Sequence, residues 1–220
     1  MKKRQNRSLL WLEIFLLGAS IGALTIWVAS LVIPAAWEQW ASWSFDQQKR
    51  EQKEAGRGAP VNVWSTPRAV PSDALLGRLS IPRLNLTAMV REGDGESTLS
   101  LALGHIPGTA LPGQHGNVGI AGHRDSLFRA LRDIQKDDII RVETAGGDYS
   151  YQVEETEIVQ PEEVSVLKPG SRAELTLVTC YPFYYVGSAP ERFIVKARAI
   201  TSAPAPKPSA RPENPQEPSL

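Results

Sequence analysis

Three residues have the chemical types and the positions for covalent chemistry together. Cys180 is the one cysteine in the chain and ends the apolar run Glu174-Leu-Thr-Leu-Val-Thr179, which Tyr181-Pro182 then stops. A cysteine at a strand end lies at the rim of a sheet, where loops build active sites. The plainer reading is a small buried hydrophobe, the commoner fate of a lone cysteine. His123 follows a short apolar strand in Asn117-Val-Gly-Ile-Ala-Gly-His-Arg-Asp125, and a histidine so placed, taken alone, is more often structural. A thiol needs a neighbouring base or cation to act as a nucleophile at neutral pH. His123 has the chemistry to be that partner, and afterwards the acid that protonates a leaving amine. Arg192 opens Arg-Phe-Ile-Val-Lys-Ala197. If two antiparallel strands are joined by residues 181–191, Cys180 and Arg192 fall at the same end. A guanidinium there can donate to a developing oxyanion; the alternative is a surface ion pair with Glu191 or Glu174. Nucleophile, proton shuttle and anion donor together split an amide cleavage into acylation and aminolysis with no metal or redox cofactor.

The elements that would position these residues read mainly as strands: Leu75–Ile81, Gly116–Ala121, and the runs 139–143, 149–159, 173–179 and 192–200. Each is short and rich in β-branched or alternating apolar residues. Thr144-Ala-Gly-Gly-Asp148 has the composition of a hairpin turn. Two segments read as helical, 96–103 and 125–133, the second placing Leu127, Ala130 and Leu131 on one face with Asp125 as its N-cap. Many short strands with few helices predict a closed barrel or sandwich.

Ahead of this domain, residues 14–33 form 20 uncharged residues, IFLLGASIGALTIWVASLVI. At helical rise they extend roughly 30 Å, the hydrocarbon thickness of a bilayer. The run is too long for a signal peptide, and Ala-Ser-Trp-Ser at 41–44 is a poor cleavage site. The spacing therefore predicts an uncleaved anchor. Lys2, Lys3, Arg4 and Arg7 precede it, which keeps residues 1–13 cytoplasmic and sends the rest outside. Trp37, Trp40, Trp43 and Phe45 suit a membrane interface. Segment 34–73 is expected to be juxtamembrane sequence and linker, with the polar stretch 46–73 a spacer. Residues 74–201 are expected to form a single domain carrying these candidate residues, and the Pro-rich tail 202–220 is expected to be disordered.

Overall charge is balanced at 24 basic and 24 acidic residues; without the four N-terminal basic residues, 20 basic face 24 acidic, net −4. No basic stripe suits nucleic acid. One cysteine excludes an internal disulfide and a multi-cysteine zinc site.

Thr176-Leu-Val-Thr-Cys180, with Arg192 twelve residues on, resembles the TLxTC signature of the sortase family, and Ile120-Ala-Gly-His123 resembles its histidine strand. Gly104-His-Ile-Pro-Gly-Thr-Ala-Leu-Pro-Gly113 followed by 116–125 is similar to class D sortases in particular. The resemblance covers roughly residues 75–200. It implies an eight-stranded β-barrel behind a transmembrane helix. It also implies a cysteine transpeptidase that cleaves an LPxTG-like sorting signal after its threonine and passes the acyl group to an amine of a cell-wall precursor or a pilin lysine. By motif, Cys180 is then the nucleophile, His123 the general acid/base and Arg192 the oxyanion donor, with Thr179 lining the site.

Val164, Val166 and Leu167, in the segment before the cysteine strand, are apolar enough to touch a leucine-proline pair, although core packing explains them as well. His105 either borders the cleft or has a structural loop role, and His115 reads as an exposed turn residue. Glu162 and Glu163 are an acidic pair of the kind usually left to solvent; no metal is expected. An L,D-transpeptidase places His-Gly directly before its cysteine, where this chain has Val178-Thr179. A hydrolytic cysteine peptidase and a non-catalytic, membrane-tethered wall-binding β-module are the remaining alternatives.

Overall fold

The computed structural model describes residues 2–54, 70–185 and 187–200. The tail at 202–220 and the linker residues 55–69 lie outside the described residues.

Eight strands close into a barrel in the order β1-β2-β3-β4-β7-β8-β6-β5. They are β1 Leu75–Ile81, β2 Leu86–Glu92, β3 Leu103–His105, β4 Gly116–Ala121, β5 Ile139–Thr144, β6 Gly147–Val159, β7 Ala173–Tyr181 and β8 Glu191–Ile200. Two pairings are parallel, β2 with β3 and β4 with β7. The remainder are antiparallel, including the Thr144–Gly147 hairpin the sequence suggests. Alternate residues of β1 point inward, Gly77, Leu79 and Ile81, as a half-buried strand requires. Leu79 and Ile81, with Ile120, Val142, Leu175, Leu177 and Val195, fill the barrel interior.

β4 is buried along nearly its whole length because both its faces are covered. The outside of Gly119 carries Leu167, Thr109 and Ile106, and a Cβ at this glycine would sit 3.1–3.2 Å from all three. Segments 106–110 and Val164–Leu167 therefore wrap β4 on the side away from the core.

Both segments read as helical shorten. The first is a single α-helical turn, α2, Glu96–Leu99, and Leu103 belongs instead to β3. The second is a 3₁₀ helix, Leu127–Asp133. At three residues per turn, Phe128 and Leu131 eclipse each other, and both are buried. Its N-cap is Ser126, so Asp125 does not cap it.

A 53-residue helix, α1, Lys2–Glu54, precedes the barrel with Pro34 inside it. Its apolar part is exposed along 14–33, apart from a few half-buried positions, and is long and apolar enough to cross a membrane. Beyond Pro34 the same helix becomes part of the domain. Trp37, Ala41 and Phe45, four apart on one helical face, close on Leu75 and Met89. Glu38 Oε1 accepts the Met89 N–H at 3.1 Å, where β2 has β1 on one side and β3 joins only at Val90. Arg78 Nη2 reaches Asp46 Oδ1 at 2.9 Å, and Lys49 Nζ bridges Glu143 at 3.3 Å and Asp148 at 2.5 Å. The expected spacer beginning at residue 46 is thus helical to Glu54 and held against the barrel through Lys49. Of the four aromatics expected at an interface, Trp37 and Phe45 pack on protein, whereas Trp40 and Trp43 stay exposed.

Candidate active site

Cys180 and Arg192 are register partners across the β7–β8 ladder. His123 arrives from the other side of β7. β4 runs parallel to β7 with Ala121 opposite Val178, so His123 and Cys180 each lie two residues beyond a matched pair. Two bonds carry that match past the strand ends: Gly122 N–H donates to Val178 O at 3.1 Å, and Thr179 Oγ1 donates to Gly122 O at 2.7 Å. Gly122 is enclosed closely enough that a Cβ there would lie 2.7 Å from Leu103 and Phe128. The backbone carrying His123 is therefore fixed to the strand carrying Cys180, and Phe128 N–H holds the His123 carbonyl from the far side at 3.1 Å.

The three side chains line one open cleft of about 380 Å³. Cys180 is a half-buried free thiol and His123 is one-third exposed. Arg192 Nη1 donates to Ala189 O at 3.3 Å and Glu191 O at 3.0 Å, so carbonyls at the end of the β7–β8 connection and the start of β8 aim the guanidinium. His123 Nε2 lies 3.6 Å from Glu96 Oε1, a carboxylate on the first residue of α2 that the sequence motifs did not single out.

The cleft wall is apolar where Val164, Val166 and Leu167 join Ile106, Leu99 and Ile194. The three residues marked from sequence as substrate contacts are therefore at the cleft, as is Thr179, whose side chain is buried and spent on Gly122. Asn117 donates to Val166 O at 2.9 Å and fixes this wall to β4. Glu163 Oε1 accepts from the Ser165 N–H at 3.2 Å and from its hydroxyl, bonds that hold the Glu163 carboxyl below the usual range.

His105 is not at the cleft. It is 3% exposed, with Nδ1 2.7 Å from Glu92 Oε2 and Nε2 3.0 Å from Ala110 O. Thr109 Oγ1, also 3.1 Å from Nε2, accepts the Gly119 N–H at 3.0 Å. Of the two alternatives for His105, the loop role matches its position: it pins 106–110, whose Ile106 reaches the cleft. His115 is exposed. Among the described residues, no three or more His, Cys, Asp or Glu side chains converge as a metal site.

The sortase-domain family model matches residues 79–200, more than half of the chain. The chain belongs to the sortase family. It is 34% identical over 126 residues to Sortase D of Bacillus subtilis, covering 57% of this chain and 64% of that one. It is 30% identical over 112 residues to Sortase A of Listeria monocytogenes, covering 49% and 50%. The chain thus spans between half and two thirds of these curated relatives. The fold agrees: a Clostridium perfringens Sortase D5 transpeptidase structure aligns with a TM-score of 0.61 at 24% identity, over 75% of this chain and 99% of that one. A sortase from Actinomyces oris aligns at 0.56 and 29% identity, over 64% and 87%. The eight-stranded barrel and the class D-like resemblance expected from sequence both hold, and the L,D-transpeptidase alternative is not favoured.

Proposed function

We propose that this chain is a membrane-anchored cysteine transpeptidase in which Cys180, His123 and Arg192 carry the reaction. The observation that supports it is the convergence of the three on one cleft edge, Cys180 and Arg192 as cross-strand partners and His123 from the parallel neighbour of the cysteine strand. The Cys180 proton passes to His123, and Sγ attacks the threonine carbonyl of an LPxTG-like signal. Arg192 donates to the oxyanion. The intermediate collapses with cleavage of the C–N bond, His123 returning its proton to the leaving amine. An amine of a cell-wall precursor or pilin then attacks the thioacyl carbon. His123 takes the amine's proton, and the Cys180 thiolate leaves and regains its proton from His123. Val164, Val166 and Leu167 supply the apolar wall for the leucine-proline part of the signal.

Residues 14–33 anchor the chain by a single pass, with the N-terminus cytoplasmic and the barrel outside. The basic residues on the N-terminal flank support that orientation.

The test is the full chain in detergent with a panel of LPxTG-type peptides and triglycine, read by mass spectrometry beside Cys180→Ala. A peptide–triglycine product, with a thioacyl adduct on the wild type alone, is the expected result. Hydrolysis without aminolysis would favour the peptidase reading. A folded wild type that forms no adduct with any peptide would favour a binding module.

A further inference from the structure

Arg124, the residue after His123, makes the longest-range polar contacts at the site. Its Nη2 donates to Tyr185 O and to Gly187 O, both at 2.8 Å, across 61 and 63 residues of sequence. Its guanidinium also lies over the Tyr185 ring, 5.8 Å from the centroid. Both carbonyls belong to the connection between Cys180 and Arg192. Further along that connection, Ala189 O and Glu191 O are the acceptors that aim Arg192. A continuous chain of hydrogen bonds and short backbone links therefore runs from the histidine segment, through Arg124, into the loop and out to the Arg192 head group.

The base of the loop is held by Phe183, which packs on the core and lies edge-on to Tyr181 and Phe193; among the described residues, fewer contacts reach the tip. Tyr184 and Tyr185 are 73% and 49% exposed, and the Tyr185 N–H reaches Pro182 O at 3.3 Å. Arg132 Nη1 contacts the Tyr184 hydroxyl at 2.5 Å and its guanidinium lies 5.7 Å from that ring's centroid, a hold on the side chain and not on the backbone. Arg124 is the side chain that holds the Tyr185 and Gly187 carbonyls, and support of this kind behind an anion donor keeps it within the tolerance that transition-state binding demands.

We propose that Arg124 is a positioning residue for transpeptidation: it holds the Tyr185 and Gly187 carbonyls and thereby sets the direction of the Arg192 guanidinium relative to Cys180 and His123. The proposal rests on the transpeptidase reading above for its kinetic part, but its structural part does not.

The experiment uses the full chain in detergent micelles as wild type, Arg124→Ala, Arg124→Lys, Arg192→Ala and the Arg124→Ala/Arg192→Ala double variant. Hydrogen–deuterium exchange across residues 182–190 should quicken in Arg124→Ala while the strands keep their protection; unchanged exchange there overturns the clamp whether or not any peptide is turned over. Steady-state kinetics with an LPxTG-type peptide and triglycine should show kcat falling about 10- to 100-fold in Arg124→Ala, with KM within about threefold, the size expected when a reacting group is misplaced by about 1 Å. Arg124→Lys, which keeps a charged donor near the two carbonyls, should recover part of the loss. In the Arg192→Ala background, Arg124→Ala should cost less than about twofold, because its effect passes through Arg192. Losses that simply add in the double variant would overturn the proposal. So would a rise in KM at constant kcat, which would make Arg124 a peptide-binding residue. A wild type without turnover but with a quickened loop in Arg124→Ala would keep the clamp and sink the transpeptidase reading alone.

Discussion

Cys180 and Arg192 face each other as paired residues of β7 and β8, so the nucleophile and the anion donor of the proposed reaction are placed by one ladder rather than by two independent loops. A ladder fixes backbone spacing firmly, and the freedom left to the pair is in the arginine side chain, which the Ala189 and Glu191 carbonyls restrain. Arg192→Ala is expected to lower kcat for the peptide–triglycine reaction by about 10²- to 10³-fold, the usual cost of losing an oxyanion donor. Its thermal midpoint should stay near that of the wild type. A midpoint that falls together with the rate would point to misfolding rather than lost transition-state binding.

Thr179 offers a separable test of how His123 is held. Its hydroxyl donates to the Gly122 carbonyl at 2.7 Å from a buried position. Thr179→Val keeps the shape but leaves that carbonyl unpaired, at a cost of about 1–3 kcal/mol in stability. Thr179→Ser should restore most of it. Chemical denaturation of the three proteins checks the order, and equal stability of Thr179→Val and wild type would mean that the bond contributes nothing net.

His105 is expected to affect folding and not peptide binding. His105→Leu removes the partner of Glu92 and the contacts to Ala110 and Thr109. Leaving a buried acceptor unpaired costs about 1–3 kcal/mol. The thermal midpoint should drop while KM for the peptide, measured well below it, stays put. A raised KM with an unchanged midpoint would return His105 to the cleft.

Asp138 sets part of the acid limit of stability. The Arg83 guanidinium bonded to it holds its carboxyl below the usual aspartate range; burial opposes this, and the Gln135 N–H at 2.8 Å assists. A depressed folded-state value means the stabilisation is present above the ordinary aspartate range and is lost as the pH falls through the folded value. Thermal midpoints taken from neutral to acid pH should therefore fall more steeply for the wild type than for Asp138→Asn. Parallel curves would show that Asp138 carries no linked proton.

The legibility of this protein was uneven for physical reasons. Cys180, His123 and Arg192 sit at or just beyond strand ends, where alternation and strand direction fix which rim a side chain reaches, so spacing and motif were enough to bring them together. β2 was missed because alternation fails in it: Ala88 and Val90 face the barrel interior, while Met89 between them is buried against α1. β3, at three residues, is too short to show any period. The aromatic spacing at 37–45 suits lipid and protein alike, and only the position of Met89 decides for protein at Trp37 and Phe45. Arg124 left no signal because its partners are backbone carbonyls, which carry no residue identity.

The seating of α1 on β2 bears on any shortened form of this protein. Between Leu86 and Met89, β2 has no strand neighbour among the described residues on the side where Glu38 takes the Met89 N–H. A barrel cut free ahead of residue 70 loses that carboxylate together with Trp37, Ala41 and Phe45. It then presents a bare sheet edge beside an uncovered apolar patch, the combination that templates strand addition from a second molecule. Part of α1 thus serves as a guard against self-association, and sluggish or concentration-dependent behaviour in a helix-free fragment would report on that lost guard rather than on the chemistry of the cleft.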